Sequence, residues 1–248
     1  IQCQMGSKLV LFITGHCHWM CDYCPLSETR REIDFMYANE RKIDIGDWQA
    51  VIEEARAMNA TGAGITGGDP VMARERVLEG ARILKAEFGP NFHLHMYTSI
   101  PFKAEWANEF AEAGIDEILI NTLTDPKLLK RLTILAKNEG LKVHAWIMAM
   151  NRPDDTIALK NPEWYAVSKE GKSCFDTRPY VDYYQWLCPN REESRNHILG
   201  LVEGLSKVEG IESVHLDYIR YSDVYLPIGL LPKYNLVQET ELPEYDFC

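Results

Sequence analysis

Short apolar runs alternate with amphipathic stretches along the chain. Six runs predict strands: KLVLFIT (8–14), TGAGIT (61–66), FHLHMYT (92–98), EILINTL (117–123), KVHAWIMAM (142–150) and ESVHLDYIRY (212–221). Between them, DWQAVIEEARAMNA places Trp48, Val51, Ile52, Ala55 and Met58 at helical spacing, and AEWANEFAEAG pairs Trp106 with Phe110. TDPKLLKRLTILAKNEG offers Asp125 as an N-cap, Pro126 in the first turn and Gly140 at the end. NREESRNHILGLVEGLSKVEG carries Asn190 with Glu193 three residues on, a capping-box pattern, and sets Ile198, Leu201, Val202 and Leu205 on one face. Strand and helix patterns alternating in this way predict an α/β fold, a partial parallel (βα)6 or TIM-like barrel in a single domain over 1–248. In such folds chemistry gathers where the strands end.

Composition narrows the class. With 248 residues, 46% hydrophobic and 25% charged, the chain is long enough to bury a substantial core. No run approaches the roughly 20 apolar residues of a membrane span, and IQCQMGSK lacks the layout of a signal peptide. The expectation is a soluble, cytoplasmic protein without a membrane partner. A net charge of -11 disfavours nucleic acid, whose phosphates need clustered Lys and Arg. Seven cysteines, an odd number in a chain of this size, argue for reduced thiols rather than a disulfide scaffold.

Three of those cysteines fall in eight positions: CHWMCDYC holds Cys17, Cys21 and Cys24 directly after the first predicted strand. A structural zinc site wants four ligands, usually in two close pairs, and no second pair follows. Three thiolates with one vacant position suit an iron-sulfur cluster that leaves one iron open. On the next strand end, GITGGDP places Gly67 and Gly68 before Asp69 and Pro70. Two residues without side-chain bulk let a ligand approach the backbone, and the turn exposes carbonyls able to accept from an ammonium group.

Together these segments resemble the radical S-adenosylmethionine (SAM) superfamily, with Tyr23 at the aromatic place of Cys-x-x-x-Cys-x-aromatic-Cys. The resemblance implies that Cys17, Cys21 and Cys24 hold a 4Fe-4S cluster whose open iron chelates SAM. It implies that Gly67, Gly68 and Asp69 receive the methionine amino group and that Tyr97 and Thr98, at the third strand's end, lie against the ligand. The implied reaction is one-electron cleavage of SAM to methionine and a 5'-deoxyadenosyl radical, which takes hydrogen from a substrate. The expected partners are a small-molecule substrate and an external electron donor such as flavodoxin or ferredoxin. CPLSETRR and MYANER look like a group of archaeal and bacterial members with poorly defined substrates. The likeness covers about 5–113.

From about 114 to 248 the chain is similar to another family, the glycoside-hydrolase-like (βα)8 barrels. The segments are GLKVHAWIMAMNRPDD, NPEWYAVSKEG, CPN and HLDYIRYSD. That likeness implies Asp217 as a catalytic carboxylate with Arg220 and Tyr221 beside it, and His144 and Trp146 lining a sugar site. Glycoside cleavage usually takes two carboxylates, and the spacing of Glu163, Asp176 and Asp223 nominates none of them as the second. The last segment, PEYDFC, reads as a truncation, which leaves a natural fusion, an engineered chimera without activity and an incomplete sequence as explanations. Residues 151–190, with Trp164, Tyr165, Tyr180, Tyr183, Tyr184 and Trp186, read either as a substrate lid or as a loop with its own small core. Cys174 and Cys188 read as buried thiols, Cys3 and Cys248 as incidental. His93 and His95 are expected on opposite sides of their strand. The charged run ETRREIDFMYANERKID reads as solvated surface, with Arg30 or Arg31 as candidates for an anionic substrate.

Overall fold

The computed structural model describes residues 7–17, 33–121, 126–179, 183–223, 225, 231, 235 and 237–239. All six predicted strands form, as β1 (Lys8–Phe12), β4 (Gly62–Thr66), β5 (His93–Thr98), β6 (Glu117–Asn121), β7 (Lys142–Met148) and β8 (Ile211–Asp217). A hairpin, β2 (Met36–Ala38) and β3 (Arg41–Ile43), joins them in one eight-stranded sheet of order β3-β2-β1-β4-β5-β6-β7-β8. β1, β4, β5, β6 and β7 pair in parallel, each with the next, and the hairpin is antiparallel. The fold class is the mixed α/β, largely parallel sheet that the alternating pattern predicts.

Over 36–43 the hairpin corrects the reading of this charged run as solvated surface. Met36, Ala38 and Ile43 are buried within it, and Asn39 makes the turn at φ 52°. Asn tolerates this left-handed conformation better than most residues. Charged neighbours hide so short an alternation.

The helices are α1 (Trp48–Ala57), α2 (Arg74–Phe88), α3 (Ala104–Ala113), α4 (Pro126–Asn138) and α5 (Glu192–Ser206). Asp47 caps α1 by accepting from the Ala50 N–H at 3.1 Å. α5 departs from expectation, since its N-cap is Arg191 with no side-chain cap bond, so the Asn190–Glu193 box does not form. Of its predicted apolar face only Ile198 is fully buried.

The described residues fall into two compact units. One runs through Trp146 and takes back Val208–His215; the other holds Ile147–Lys207 and the described residues from Leu216 on. In the first unit, alternate strand residues (Leu9, Leu11, Ala63, Ile65, Leu94, Met96, Ile118, Ile120) are buried with Val51, Val77, Leu84, Phe110 and Leu132 from the helices. The opposite face of these strands is mixed, with Lys8, His93, His95, Glu117 and His144 beside Val10, Phe12, Leu119 and Trp146.

The second unit builds a small aromatic core rather than an open lid. Its long connection closes through bridges Asn151↔Trp186, Tyr165↔Leu187 and Val167↔Ser173. Tyr165, Tyr183, Tyr184, Trp186 and Cys174 are buried there, and Tyr180 lies outside the described residues. Cys174 accepts from the Trp186 N–H at 3.1 Å, and burial pushes its thiol up to about 12, as an inert core cysteine should behave. Among the described residues no helix is long and apolar enough to cross a membrane.

Candidate functional site

The first unit brings the end of β1 against the turn after β4. Ile13 N donates to Thr66 O at 2.8 Å, extending the parallel ladder, and the chain then runs through buried Thr14 to half-exposed Cys17. Gly68 N donates to Thr14 O at 2.7 Å and Asp69 N to His16 O at 2.9 Å, so two backbone bonds tie the first cysteine's segment to the Gly-Gly-Asp-Pro turn. Cys21, Cys24 and Tyr23 lie outside the described residues, as do Arg30 and Arg31.

The two glycines are needed here by the chain's own packing. A Cβ at Gly67, whose φ is 143°, would lie 2.5 Å from Thr14 O. A Cβ at Gly68 would lie 2.1 Å from His16 O and 2.6 Å from Gly15 O. The bulk-free faces are thus filled by the chain's own backbone. Asp69 is 3% exposed. Its Oδ1 accepts from Val71 N at 3.0 Å and Thr98 Oγ1 at 2.8 Å, and its Oδ2 accepts from Ser99 N at 2.8 Å. The carboxylate therefore joins the ends of β4 and β5.

Tyr97 and Thr98 point to opposite faces of β5. Thr98 serves Asp69, while Tyr97 packs edge-on against Trp146 at 5.2 Å and His215 at 5.8 Å between ring centroids. Tyr97 shares its face with both His93 and His95, whose rings are 5.7 Å apart. This overturns the expectation that the two histidines face opposite sides: residues two apart on a strand share a face. Gly64 opposite them leaves room for the imidazole, since a Cβ there would meet His95 Nε2 at 2.7 Å. Burial, with His93 and Lys8 nearby, pushes His95 down to about 4, so it is neutral at neutral pH.

On the same face Glu117 lies 3.2 Å from His93 Nε2 through one oxygen and 3.2 Å from His144 Nε2 through the other. Burial favours its neutral form, but the His93 hydrogen bond together with the positive fields of His93, His144 and Lys142 outweighs this and holds its carboxyl below the usual range. His144 Nδ1 is 2.7 Å from Ser213 Oγ. The sequence pattern does not mark Glu117; the register that sets it beside His95 comes from the pairing of β5 with β6.

In the second unit Asp217 Oδ1 accepts from the Tyr218 N–H at 2.8 Å, and Tyr218 adopts φ 51°. Arg220 pairs with Asp223 at 3.0 Å and lies over the rings of Trp186 (5.0 Å) and Tyr218 (5.2 Å). Tyr184 donates to Asp223. Tyr221 is exposed.

The chain matches the radical SAM superfamily over residues 11–150. Over 125 residues it is 45% identical to the protein named "Putative glycyl-radical enzyme activating enzyme MJ0021" of Methanocaldococcus jannaschii. That stretch covers 48% of this chain and 32% of the relative, so the chain spans about a third of the relative's length. The chain belongs to the radical SAM superfamily. The match passes residue 113 and includes β6 and β7, in a segment that the sequence reading gave to the glycoside-hydrolase-like family. It supports no such second family, and the assignment of Asp217 as catalytic carboxylate loses that ground.

Proposed function

We propose that the protein is a radical SAM enzyme in which Cys17, Cys21 and Cys24 hold a 4Fe-4S cluster. The observation that carries this reading is the tie between the cysteine segment and the Gly-Gly-Asp-Pro turn, through Thr14 O and His16 O. Cys17, the described member of the three, fits the group: it is partly exposed after a parallel strand, where a thiolate can reach a metal without burying an unpaired charge. The cluster, when bound, supplies the electron that cleaves SAM to methionine and a hydrogen-abstracting 5'-deoxyadenosyl group. The chain's own part is to bind, orient and exclude water. Asp69, with both oxygens engaged by protein donors, fixes the turn, and the methionine amino group falls to the backbone carbonyls of Gly67 and Gly68. Tyr97 belongs to the mixed face of the sheet and Thr98 to the support beneath the turn.

The relative's name points to a protein substrate, a glycine residue of a partner enzyme, in place of the small molecule that the sequence suggests. The electron comes from an external reduced flavodoxin or ferredoxin. Anaerobic reconstitution is expected to give visible absorption and bound iron, both lost in Cys17→Ala. The reduced holoprotein is expected to yield 5'-deoxyadenosine from SAM and, with a Cα-deuterated glycyl partner, to carry deuterium into it. Bound zinc in place of iron, or no cleavage of SAM by the reduced holoprotein, overturns the reading.

A further inference from the structure

A line of side chains crosses the mixed face of the sheet, one from each of β5, β6, β7 and β8, all in the first unit. Glu117 stands between two imidazoles, with His93 Nε2 on one oxygen and His144 Nε2 on the other, each at 3.2 Å. Its carboxyl is held below the usual range, so at neutral pH it is an acceptor only. Facing it, His144 in its neutral form carries its proton on Nε2 and leaves the Nδ1 lone pair bare. Ser213 Oγ lies 2.7 Å from that Nδ1 and has one proton to give it. The carboxylate therefore sets the tautomer, and the serine donates. Side-chain exposure is 16% at His144 and 20% at Glu117, whereas Ser213 is exposed on β8, at the end of the strand order. His144 Nε2 is buried and its contact with Glu117 is not aligned as a hydrogen bond; such contacts are often loose in a free protein and tighten around substrate.

We propose that Ser213, His144 and Glu117 form a second active site, a nucleophile, base and orienting carboxylate that transfers acyl groups from small carboxylic esters to water. Ser213 and His144 are its catalytic residues and Glu117 is its positioning residue. The arrangement is the one by which a weak hydroxyl becomes a nucleophile: a base within hydrogen-bond reach, itself oriented by a third group. Serine meets Nδ1 and carboxylate meets Nε2, and the imidazole works in either sense, since each nitrogen is donor or acceptor according to the tautomer. Ser213 Oγ adds to the ester carbonyl carbon as its proton passes to His144 Nδ1. The ester C–O bond then breaks, the alcohol leaves with that proton, and water releases the acid from the acyl-serine by the same route. Two residues further along the same strands, Trp146 and His215 pack against Tyr97, at 5.2 Å and 5.8 Å between ring centroids. They give an aromatic wall on which a flat leaving group can lie. A row of bonds that only braced the sheet would not need a hydroxyl at its exposed end. The site is independent of the cluster.

Metal-free protein separates this activity from any radical chemistry. A fluorophosphonate is expected to form a phosphorus–oxygen bond at Ser213 with loss of fluoride, an adduct that mass spectrometry places in the tryptic peptide 208–220, whose only serine is Ser213. p-Nitrophenyl acetate is expected to be hydrolysed at the same site. Ser213→Ala is expected to lose both signals, and His144→Gln to slow them by about 100-fold or more, the contribution of a positioned base. Glu117→Ala is expected to slow them roughly tenfold, the factor for one charge-assisted hydrogen bond. Glu117→Gln, which keeps an acceptor without the charge, is expected to fall between the parent and Glu117→Ala. Nitrogen NMR of the imidazoles at alkaline pH reads the orienting role: His144 is expected as the single Nε2–H tautomer in the parent and as a mixture in Glu117→Ala. No adduct on Ser213 in the folded parent overturns the proposal, and so do parental rates in His144→Gln or an unchanged tautomer in Glu117→Ala. Should His144→Gln fold poorly, Ser213→Ala decides, since an exposed serine can be shortened without disturbing a core: parental ester hydrolysis in that variant overturns the site.

Discussion

Gly68→Ala is expected to cost about 3 kcal/mol or more of the first unit's stability and to abolish iron loading on reconstitution. The residue does not require a left-handed backbone, so the penalty is one of space. The added methyl carbon would sit 2.1 Å from His16 O, 2.5 Å from His16 C and 2.6 Å from Gly15 O, all backbone atoms with no rotamer to turn away. Relief by moving the segment stretches the bonds from Gly68 N to Thr14 O and from Asp69 N to His16 O, two bonds made by buried Thr14 and buried Asp69. Gly46→Ala is the matched control. Gly46 has φ 85° but nothing within 4 Å of its added carbon, so its cost is the backbone term alone, about 1–2 kcal/mol. Urea midpoints of the two variants, with iron bound per chain, check the expectation. Equal destabilisation would mean that the close approach of the two strand ends is not what the glycine serves.

Much of this architecture is written locally. The six strands show as short apolar or alternating runs and need no tertiary information to be seen, and Pro126 opens α4 where its ring is tolerated. α2 was not singled out, although Val77, Leu78, Ala81 and Leu84 carry a helical spacing that the structure buries. The demand for small residues at Gly67 and Gly68 was legible, but not which backbone would fill the space. That is set by the register of β1 on β4, where Phe12 pairs with Thr66, and register comes from packing the whole sheet. Asp69 reads as a ligand contact in the motif, whereas its partners Thr98 and Ser99 lie 29 and 30 residues away. Ser213 and His144 lie 69 positions apart, with no motif at either end. Local chemistry is therefore visible in the chain, while the contacts that support it are made by topology.

The second unit has its own support of this kind, and Asp155→Ala is expected to destabilise it by roughly 3–5 kcal/mol, the range for removing one partner of a buried ion pair. Asp155 is 8% exposed. Its Oδ2 takes Arg152 Nε at 2.8 Å, Arg152 Nη2 at 2.5 Å and His197 Nε2 at 2.7 Å, and its Oδ1 takes the N–H groups of Ile157 and Ala158, both at 3.0 Å. One carboxylate thus organises the turn before the Ala158–Lys160 helix and ties it to α5 through His197. Burial alone would raise its pKa. The bonds from His197, the Ala158 N–H and Arg152 outweigh that and hold it at about 2. A carboxyl depressed in the folded state stabilises above its unfolded value, and that contribution disappears as pH falls through the folded one. The parent should therefore lose stability in this unit between about pH 4 and pH 2, and Asp155→Ala should lack that component of the acid transition. Asp155→Asn keeps acceptor and shape but not charge, so it is expected to fall between the two. Hydrogen exchange at the Ile157 and Ala158 amides reads the effect within the unit itself; protection there at the parental level in Asp155→Ala would show that the turn is held by packing against Tyr165 and Trp186 instead.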